Sequence, residues 1–220
     1  MIRVGIADSG VDGPARKSVI ARADFGFSGK PGTLQDAPRD RAGHGSAIAA
    51  VIAGIEGVEL LDARIFDAEL RTSAAQAAAA IDWLVTQGAR ILNLSFGLRE
   101  DRALLREACA RAIDAGVLLV ASSPARGASV FPASYPGVLR ATGDARCAPG
   151  ETSWLGTQQA DAGAAVRTPC GKVAGASAGC AHVSAALTRL MLQQPSAGRE
   201  ELLDAFRRGA HYHGAERRTQ

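Results

Sequence analysis

Short apolar runs alternate with longer alanine-rich or amphipathic segments along most of this 220-residue chain. The apolar runs are predicted strands, at residues 2–7, 58–66, 91–94, 117–121 and 137–142. The intervening segments are predicted helices, at residues 43–55, 73–87, 102–115, 179–192 and 199–208. Because strands that alternate with helices form βαβ crossovers, we predict a three-layer α/β fold, with a mainly parallel sheet and helices on both faces.

The length of the chain suits a single domain with a sizeable core. Hydrophobic residues make up 47% of the chain but aromatic residues only 5%, so Ala, Val, Leu and Ile are expected to fill that core. Residues 1–210 are predicted to form the domain and residues 211–220 a polar C-terminal tail. Residues 26–41 are rich in Gly, Pro and charge, which predicts a surface loop.

Basic and acidic residues number 25 and 22 and are scattered, which gives a net charge of +3. No basic stripe interleaved with aromatic residues occurs, so nucleic-acid binding is not predicted. The N-terminus lacks the pattern of a signal peptide, and the longest apolar runs are only strand length, so neither secretion nor a membrane span is predicted. Four cysteines without zinc-ligand spacing are expected to be reduced thiols in a cytoplasmic protein.

Polar residues stand just past the ends of three predicted strands: Asp8, Ser95 and Ser122. In parallel sheets, ligands bind beyond the carboxyl ends of the strands. We therefore expect these three residues to share one edge of the sheet, where a functional site would lie.

A serine hydroxyl becomes a useful nucleophile when a neighbouring base accepts its proton and a carboxylate orients that base. His44 is the candidate base, because it lies between two glycines at a predicted helix start, where the helix dipole should disfavour the protonated imidazole. Of the other histidines, His182 is read as a core residue of an apolar helix. His211 and His213 fall in the predicted polar tail.

The other two chemical groups each have an ordinary structural alternative. Asp8 follows an apolar strand and precedes a glycine turn, so it could orient His44 or simply cap the turn. Ser177 lies among small residues that lead into a helix, where backbone N–H groups could stabilise an oxyanion. An ordinary serine N-cap would have the same sequence setting.

Four motifs in the order found here resemble those of the subtilisin-like serine peptidases, or subtilases. Residues 6–12 (IADSGVD) resemble the aspartate motif, and residues 43–47 (GHGSA) with 51–54 (VIAG) resemble the histidine motif, with Ser46 where threonine is usual. Residues 91–97 (ILNLSFG) resemble the substrate-strand motif, and residues 175–183 (GASAGCAHV) the serine motif. Residues 117–121 and 131–138 also match in order, so the resemblance covers nearly the whole chain.

The resemblance implies roles for particular residues. Asp8, His44 and Ser177 would form a catalytic triad, with no cofactor or metal. The strand at Ser95, Phe96 and Gly97 would pair with an extended substrate, and the loop 68–72, including Leu70, would supply the opposite edge. His182 would be structural, and the Phe131–Pro132 bond would be cis. Val130 would lie at the base of the P1 pocket and restrict it to Gly, Ala or Ser.

One departure concerns the oxyanion hole. Subtilases usually have an asparagine that donates to the oxyanion after the strand matching 117–121, but residues 121–127 here read ASSPARG. The loss of one such donor costs about 10²–10³ in turnover. The alternatives are that Ser122 or Ser123 substitutes for it, that the Ser177 N–H suffices, or that the enzyme is slow.

Other departures suggest a dedicated processing enzyme. The strand before Asp8 begins at the N-terminus, which leads us to expect no propeptide, and acidic calcium loops are not evident. Asp36 and Asp40 are interpreted as solvated charges rather than metal ligands. The size, the missing prosegment and the altered oxyanion region also resemble peptidases that remove a leader from the small subunit of quinohemoprotein amine dehydrogenase.

Three functional hypotheses follow. The leading one is a serine endopeptidase that acts through an acyl-enzyme on a peptide or protein substrate. The second is a catalytically silent peptide-binding module that uses the 95–97 edge alone. The third, a nucleotide-binding domain, has little support because no phosphate-binding glycine motif follows the first strand.

Overall fold

A computed structural model describes residues 1–26 and 40–216. Within those residues the strands are β1 (Ile2–Asp8), β2 (Val19–Asp24), β3 (Val58–Arg64), β4 (Ile91–Leu94), β5 (Leu118–Ser122), β6 (Leu139–Gly143), β7 (Thr152–Trp154), β8 (Ala162–Ala164) and β9 (Tyr212–His213). The α-helices are α1 (His44–Ile52), α2 (Ala74–Thr86), α3 (Ala103–Asp114), α4 (Ala176–Gln193) and α5 (Arg199–Gly209). A 3-10 helix, Gly13–Ser18, precedes β2.

The described strands form one sheet in the order β2-β3-β1-β4-β5-β6-β8-β7-β9. All neighbouring pairs are parallel except β7 and β8, which are antiparallel. The chain order reverses around β1, because β2 and β3 lie on one side of it and β4 and β5 on the other. Such a switch point is where parallel sheets bind ligands. Asp8 ends β1 and Ser95 directly follows β4, so the predicted site lies at this point.

The sheet separates two apolar clusters, which confirms the predicted three-layer α/β architecture. One cluster contains residues of α1, α4 and α5, and the other contains residues of α2 and α3. Ala, Val, Leu and Ile dominate both, as the composition indicates. Strands β4 and β5, in the middle of the sheet, are buried along their whole length, as expected for a mainly parallel sheet.

Two glycines allow the helices that carry candidate catalytic residues to approach the sheet closely. A Cβ on Gly45 of α1 would lie 2.3 Å from the Gly10 carbonyl oxygen and 3.1 Å from the Asp8 side chain. A Cβ on Gly179 of α4 would lie 2.0 Å from the Thr142 carbonyl oxygen. Any side chain at these positions would push the helix off the sheet, so we expect substitution there to disrupt the site.

The sequence predicted the central elements more accurately than the peripheral ones. The helix cap at Ser73 is confirmed, because its side chain accepts from the Gln76 N–H while the Gln76 side chain accepts from the Ser73 N–H. Strands β2, β7, β8 and β9 were not predicted. Within the segment predicted as a polar tail, Tyr212–His213 pairs with β7 as strand β9. Most of the predicted loop 26–41 lies outside the described residues.

Candidate active site

His44 and Asp8 form a close pair at the switch point. Nδ1 of His44 lies 2.8 Å from Oδ1 and 2.9 Å from Oδ2 of Asp8. Asp8 is fully buried, and its Oδ1 also accepts the Ser9 N–H at 2.7 Å. A carboxylate acceptor at Nδ1 places the proton of neutral imidazole on that nitrogen, which leaves Nε2 free to accept another proton.

The pKa of His44 is shifted in the direction opposite to the one predicted from the helix dipole. Burial lowers the pKa of His44, but the hydrogen bond and charge of Asp8 and the charge of Asp40 raise it, and the net pKa lies above its ordinary value. The expectation of a disfavoured imidazolium is therefore wrong, because two carboxylates outweigh the helix N-terminus. His44 must lose this stabilised proton before it can act as a base.

Asp40 anchors the start of α1 and is not the solvated charge that the sequence suggested. Its Oδ1 accepts the Gly43 N–H and the Ser9 hydroxyl, both at 2.8 Å. Its Oδ2 accepts the Ser46 N–H at 2.9 Å and the Ser46 hydroxyl at 2.6 Å. These contacts satisfy N–H groups that a helix start leaves without partners, and they fix the backbone on both sides of His44. Asp36 lies outside the described residues.

Ser177 lies in the first turn of α4, half-buried beside the substrate strand. The Ser177 hydroxyl donates to the Ser95 carbonyl at 3.3 Å, and within the described part of the chain no hydrogen bond joins it to His44. Gly175, with φ +76°, precedes the helix, and the first intrahelical bond is from Gly179 N–H to the Gly175 carbonyl. The backbone N–H of Ser177 therefore has no partner within its helix.

A buried polar network beneath Ser177 was not predicted. The Asn93 amide donates to the Ser95 hydroxyl at 2.8 Å, and this hydroxyl in turn donates to the Ser177 carbonyl at 3.3 Å. The Asn93 side-chain oxygen accepts the Ser184 hydroxyl at 3.0 Å. Asn93 is fully buried in an otherwise apolar strand, so its polarity was the available signal. The network ties α4 to the substrate strand.

The two serines considered as oxyanion donors are occupied elsewhere. The Ser122 hydroxyl donates to the Phe96 carbonyl at 3.2 Å, and the Ser123 hydroxyl donates to the Gln159 carbonyl at 2.6 Å. Both residues are buried. In this conformation neither hydroxyl is free to donate to an oxyanion, because each has a single proton and a carbonyl acceptor. Of the three candidate donors to an oxyanion, the backbone N–H of Ser177 is therefore the one that remains available.

The proposed substrate strand combines buried and open positions. Ser95 and Phe96 are buried, whereas Gly97 is exposed and its backbone N–H and C=O have no partner among the described residues. Val130 closes one side of this edge, because a Cβ on Gly97 would lie 2.9 Å from Val130 Cγ2. Beyond it, Leu98 pairs with Phe131, and the bond to Pro132 is cis, as the resemblance implies.

The loop 68–72 has a defined backbone beside this edge. Asp67 accepts the Glu69 and Arg71 N–H groups and pairs with the Arg71 guanidinium at 2.8 Å. Leu70 within it has φ +57° and is 42% exposed. A groove of about 330 Å³ runs between Thr72, the start of α2 and residues 98–102. Of this loop only Thr72 lines the groove, so its role as the opposite edge of the substrate site stays a prediction.

A second buried carboxylate supports the turn that follows Asp8. Asp62 Oδ2 accepts the Val11 N–H at 3.0 Å and pairs with the Arg22 Nε at 2.8 Å, while Arg22 also donates to the Val11 carbonyl. Burial raises the pKa of Asp62 to about 6, although Arg22 and the Val11 N–H lower it. Asp62 Oδ1 has no partner. This pair holds the glycine turn in place.

The remaining histidines have structural contacts. His182 is half-buried, and its Nε2 bonds the Arg167 carbonyl at 2.9 Å, which fits the structural role implied for it. His211 Nδ1 accepts the Thr152 N–H at 3.3 Å, and His213 lies in β9.

Across residues 1–26 and 40–216, no group of three or more His, Cys, Asp or Glu side chains could hold a metal ion. No described helix has the length and apolarity needed to cross a bilayer.

The site thus holds an oriented imidazole, a serine at a helix N-terminus and an open strand edge. These are the groups required for nucleophilic attack on a carbonyl, with proton transfer through His44 and charge stabilisation by Asp8. The hydroxyl of Ser177 must turn away from Ser95 to reach the imidazole, and catalytic hydrogen bonds are often absent until substrate binds.

Comparisons with known proteins agree with this geometry. Residues 1–141 match the Subtilase family. The chain is 30% identical over 150 residues to Subtilisin BL of Lederbergia lenta, covering 63% of this chain and 54% of that protein. It is 30% identical over 149 residues to the Thermostable alkaline protease of Halalkalibacterium halodurans, covering 62% of this chain and 40% of that protein. The chain thus spans about half the length of the curated relatives it matches, or less.

Solved structures of the same fold include Sphericase, with a TM-score of 0.70 and 18% identity over 94% of this chain and 82% of that one. A serine-to-alanine mutant of the protease domain of PatA has a TM-score of 0.62 and 20% identity over 88% of this chain and 80% of that one. Identities this low demonstrate the fold alone, whereas the family match covers well over half of the chain. The chain belongs to the subtilase family.

Proposed function

We propose that this protein is a serine endopeptidase whose nucleophile is Ser177, whose general base is His44 and whose orienting carboxylate is Asp8. The observation that carries the proposal is the contact of His44 Nδ1 with both oxygens of a fully buried Asp8 at the end of β1, while Ser177 in the first turn of α4 contacts Ser95 at the end of the neighbouring strand β4. The described fold would act as one catalytic domain. The silent-module alternative gains no specific support.

In the proposed reaction, Ser177 Oγ attacks the scissile carbonyl while His44 Nε2 accepts its proton. The resulting imidazolium is stabilised by Asp8, and it then protonates the leaving amine, so that an acyl-enzyme and a free amine form. Water attacks the acyl-enzyme by the reverse sequence, with His44 again as base. The substrate strand binds the acyl half of the substrate through the open backbone of Gly97.

The oxyanion would receive its hydrogen bond from the Ser177 N–H at the N-terminus of α4. With Ser122 and Ser123 bound to carbonyls, the described residues offer no second strong donor among the candidates, and turnover should be about 10²–10³ below that of a site that has one. Such an enzyme would suit a single processing event better than general digestion. Val130 against Gly97 supports a shallow P1 pocket that accepts Gly, Ala or Ser.

A narrower role is the removal of a leader peptide in the cytoplasm. We propose that the substrate is a leader-bearing partner, with the small subunit of quinohemoprotein amine dehydrogenase as the specific candidate. Support comes from the chain's resemblance to such processing peptidases, and the four free cysteines are compatible with a reducing compartment. Incubation with the leader-bearing subunit should release the leader, as detected by mass spectrometry of both products.

Cleavage of a peptide library tests the general proposal. Wild-type protein should cut after small residues, and Ser177→Ala and His44→Ala should each abolish cutting while they retain the wild-type circular dichroism spectrum. Cutting that survives in Ser177→Ala would contradict the assigned nucleophile. A dominant preference for Phe or Leu at P1 would contradict the role of Val130 but not that of the triad.

A further inference from the structure

A buried asparagine connects the central sheet to the candidate nucleophile. Asn93 is the third residue of β4 and is fully buried. Its neighbours in the sheet are Ile6 of β1 and Val120 of β5, which are also fully buried. A side-chain amide in such apolar surroundings is costly unless its polar atoms find partners. An apolar residue would fill this place in the strand at a lower cost, so the partners of the amide indicate its role.

The oxygen of this amide contacts the helix that carries Ser177. Asn93 Oδ1 accepts the Ser184 hydroxyl at 3.0 Å and lies 3.4 Å from the Cys180 sulfur. Burial raises the pKa of the Cys180 thiol to about 12, so the thiol keeps its proton and can donate. Ser177, Cys180 and Ser184 follow one another at spacings of three and four residues, so they share one face of α4. Contacts on that face oppose a rotation of α4 that would displace Ser177.

The nitrogen of the same amide reaches Ser177 through one intermediate. Asn93 Nδ2 donates to the Ser95 hydroxyl at 2.8 Å, and this hydroxyl donates to the Ser177 carbonyl at 3.3 Å. Because the amide nitrogen can only donate, the single proton of the Ser95 hydroxyl is left for the Ser177 carbonyl. An apolar residue in place of Asn93 would leave the Ser95 hydroxyl free to rotate. Asn93 therefore sets the direction of the hydrogen bond from Ser95 to Ser177.

The position of Ser177 controls two groups that the proposed reaction needs. Its Oγ is the proposed nucleophile, and its backbone N–H is the donor that remains for the oxyanion. Both belong to the first turn of α4, which the contact with Ser95 joins to the end of β4. A displacement of about 1 Å in a reacting group can cost about 10²-fold in rate. The contacts of Asn93 thus bear on the nucleophile and on the oxyanion donor at the same time.

We infer that Asn93 is a positioning residue of the proposed peptidase, which acts through Ser95 to hold Ser177 in its reactive place. The inference rests on the proposed function of Ser177 and adds a residue to that site. Asn93 is fully buried and does not reach a substrate bound at the edge of the sheet. Its loss should therefore lower kcat, while KM, which depends on the open strand at Gly97, stays within about twofold of wild type.

Replacement of Asn93 by aspartate tests this role and preserves the shape of the side chain. A neutral carboxyl has one O–H donor and one acceptor oxygen, so it can replace both kinds of contact. The ionised carboxylate has no donor, so the Ser95 hydroxyl would turn towards it and away from Ser177. Burial raises the pKa of a carboxyl, so the variant should resemble wild type in acid and lose kcat as pH rises.

The quantity to measure is the ratio of kcat in Asn93→Asp to kcat in the wild type, from acid to alkaline pH. This ratio should fall about 10²-fold as the new carboxyl loses its proton. Division by the wild-type value removes the titration of His44, which both proteins share. A merely structural loss would lower the ratio by the same factor at every pH, and a ratio that is independent of pH would overturn the inference.

Ser95→Ala gives a second test that introduces no charge into the core. It removes the hydroxyl through which Asn93 acts, so kcat should fall by a similar factor while KM stays within about twofold of wild type. Asn93→Asp added to Ser95→Ala should cause no further loss of kcat at alkaline pH, since the two residues belong to one chain of contacts. Independent losses that multiply in the double variant would overturn the route through Ser95.

Thr188→Val is the matched control for a general loss of stability. Thr188 is fully buried in α4, eleven residues after Ser177, and its hydroxyl donates to the Ser184 carbonyl at 2.7 Å. Valine preserves the shape of threonine but removes this hydrogen bond. The free energy of unfolding from urea titration should fall, whereas kcat should stay within about twofold of wild type. A loss of kcat equal to that in Ser95→Ala would overturn the inference.

Hydrolysis of a peptide amide by the wild-type protein separates this inference from the proposed function. Wild-type hydrolysis that persists unchanged in Asn93→Asp and Ser95→Ala would refute the positioning role alone. No hydrolysis by wild-type protein whose circular dichroism spectrum shows an intact fold would count against the peptidase, and against this role with it.

Discussion

Replacement of Asp40 by asparagine tests how the protein positions its candidate base, His44, and how it raises the pKa of that residue. Asparagine keeps one acceptor oxygen but loses the other, so either the pair of contacts from Gly43 and Ser9 or the pair from Ser46 is lost. Helix-capping contacts are worth about 0.5–2 kcal/mol and hydrogen bonds to charged groups about 1.5–3 kcal/mol. We expect the free energy of unfolding to fall by about 2 kcal/mol, with a melting temperature about 4–8 °C lower.

The same substitution should change the titration of His44. The charge of Asp40 is one cause of the raised pKa of His44, so its removal must lower that pKa. A general base works when neutral, so the acid limb of kcat/KM should move to lower pH in Asp40→Asn. Proton NMR of the four imidazoles measures the same shift without substrate, with the His44→Gln spectrum as the assignment.

Asp204→Asn is the matched control, because it removes an exposed carboxylate from α5. It should change stability by less than about 0.5 kcal/mol and leave the His44 titration in place. A His44 pKa that stays constant or rises in Asp40→Asn would refute the electrostatic argument. An unchanged melting temperature would refute the argument that Asp40 anchors α1.

Three further substitutions test other parts of the site. Val130→Ala removes two methyl groups beside Gly97, so the ratio of kcat/KM for Leu over Ala at P1 should rise about tenfold, and no change would place the pocket elsewhere. Ser122→Ala and Ser123→Ala should each keep kcat within about threefold of wild type, because both hydroxyls already donate to carbonyls; a hundredfold loss would make that serine an oxyanion donor. Asp62 binds its proton more tightly in the folded state, with a pKa of about 6, so ionisation of Asp62 costs stability as pH rises from about 4 to 7. Over that range the free energy of unfolding of Asp62→Asn, measured by urea titration, should rise by up to about 3 kcal/mol relative to that of the wild type. A difference between the two proteins that does not change with pH would refute the raised pKa.

The parts of the fold that the sequence predicted are those determined by local patterns. Strands β1, β4 and β5 are mostly apolar runs, and α2 begins at a Ser73 cap whose partner Gln76 is three residues away. Strands β7, β8 and β9 are two or three residues long and depend on partners distant in the chain, so no periodicity marks them.

The residues of the candidate site also fall into two groups, those that a sequence motif marks and those that only the structure reveals. Asp8, His44 and Ser177 stood out because each lies in a motif, whereas the roles of Asp40 and Asn93 depend on contacts with residues distant in the chain, such as Ser9 for Asp40 and Ser184 for Asn93. The helix-dipole argument for His44 failed because it considered one element alone, while two carboxylates from other segments determine the direction of the pKa shift. Such side-chain contacts depend on the tertiary structure, so the spacing of residues along the sequence does not reveal them.

Covalent labelling with a fluorophosphonate tests the proposed nucleophile most directly. The account predicts a single adduct on Ser177, mapped by mass spectrometry. The adduct should be absent in Ser177→Ala and much slower to form in His44→Ala, since the imidazole activates the hydroxyl. Labelling of the wild-type protein that occurs on another residue, or no labelling after prolonged exposure at a pH above the pKa of His44, would contradict the assignment of this site as a serine peptidase centre.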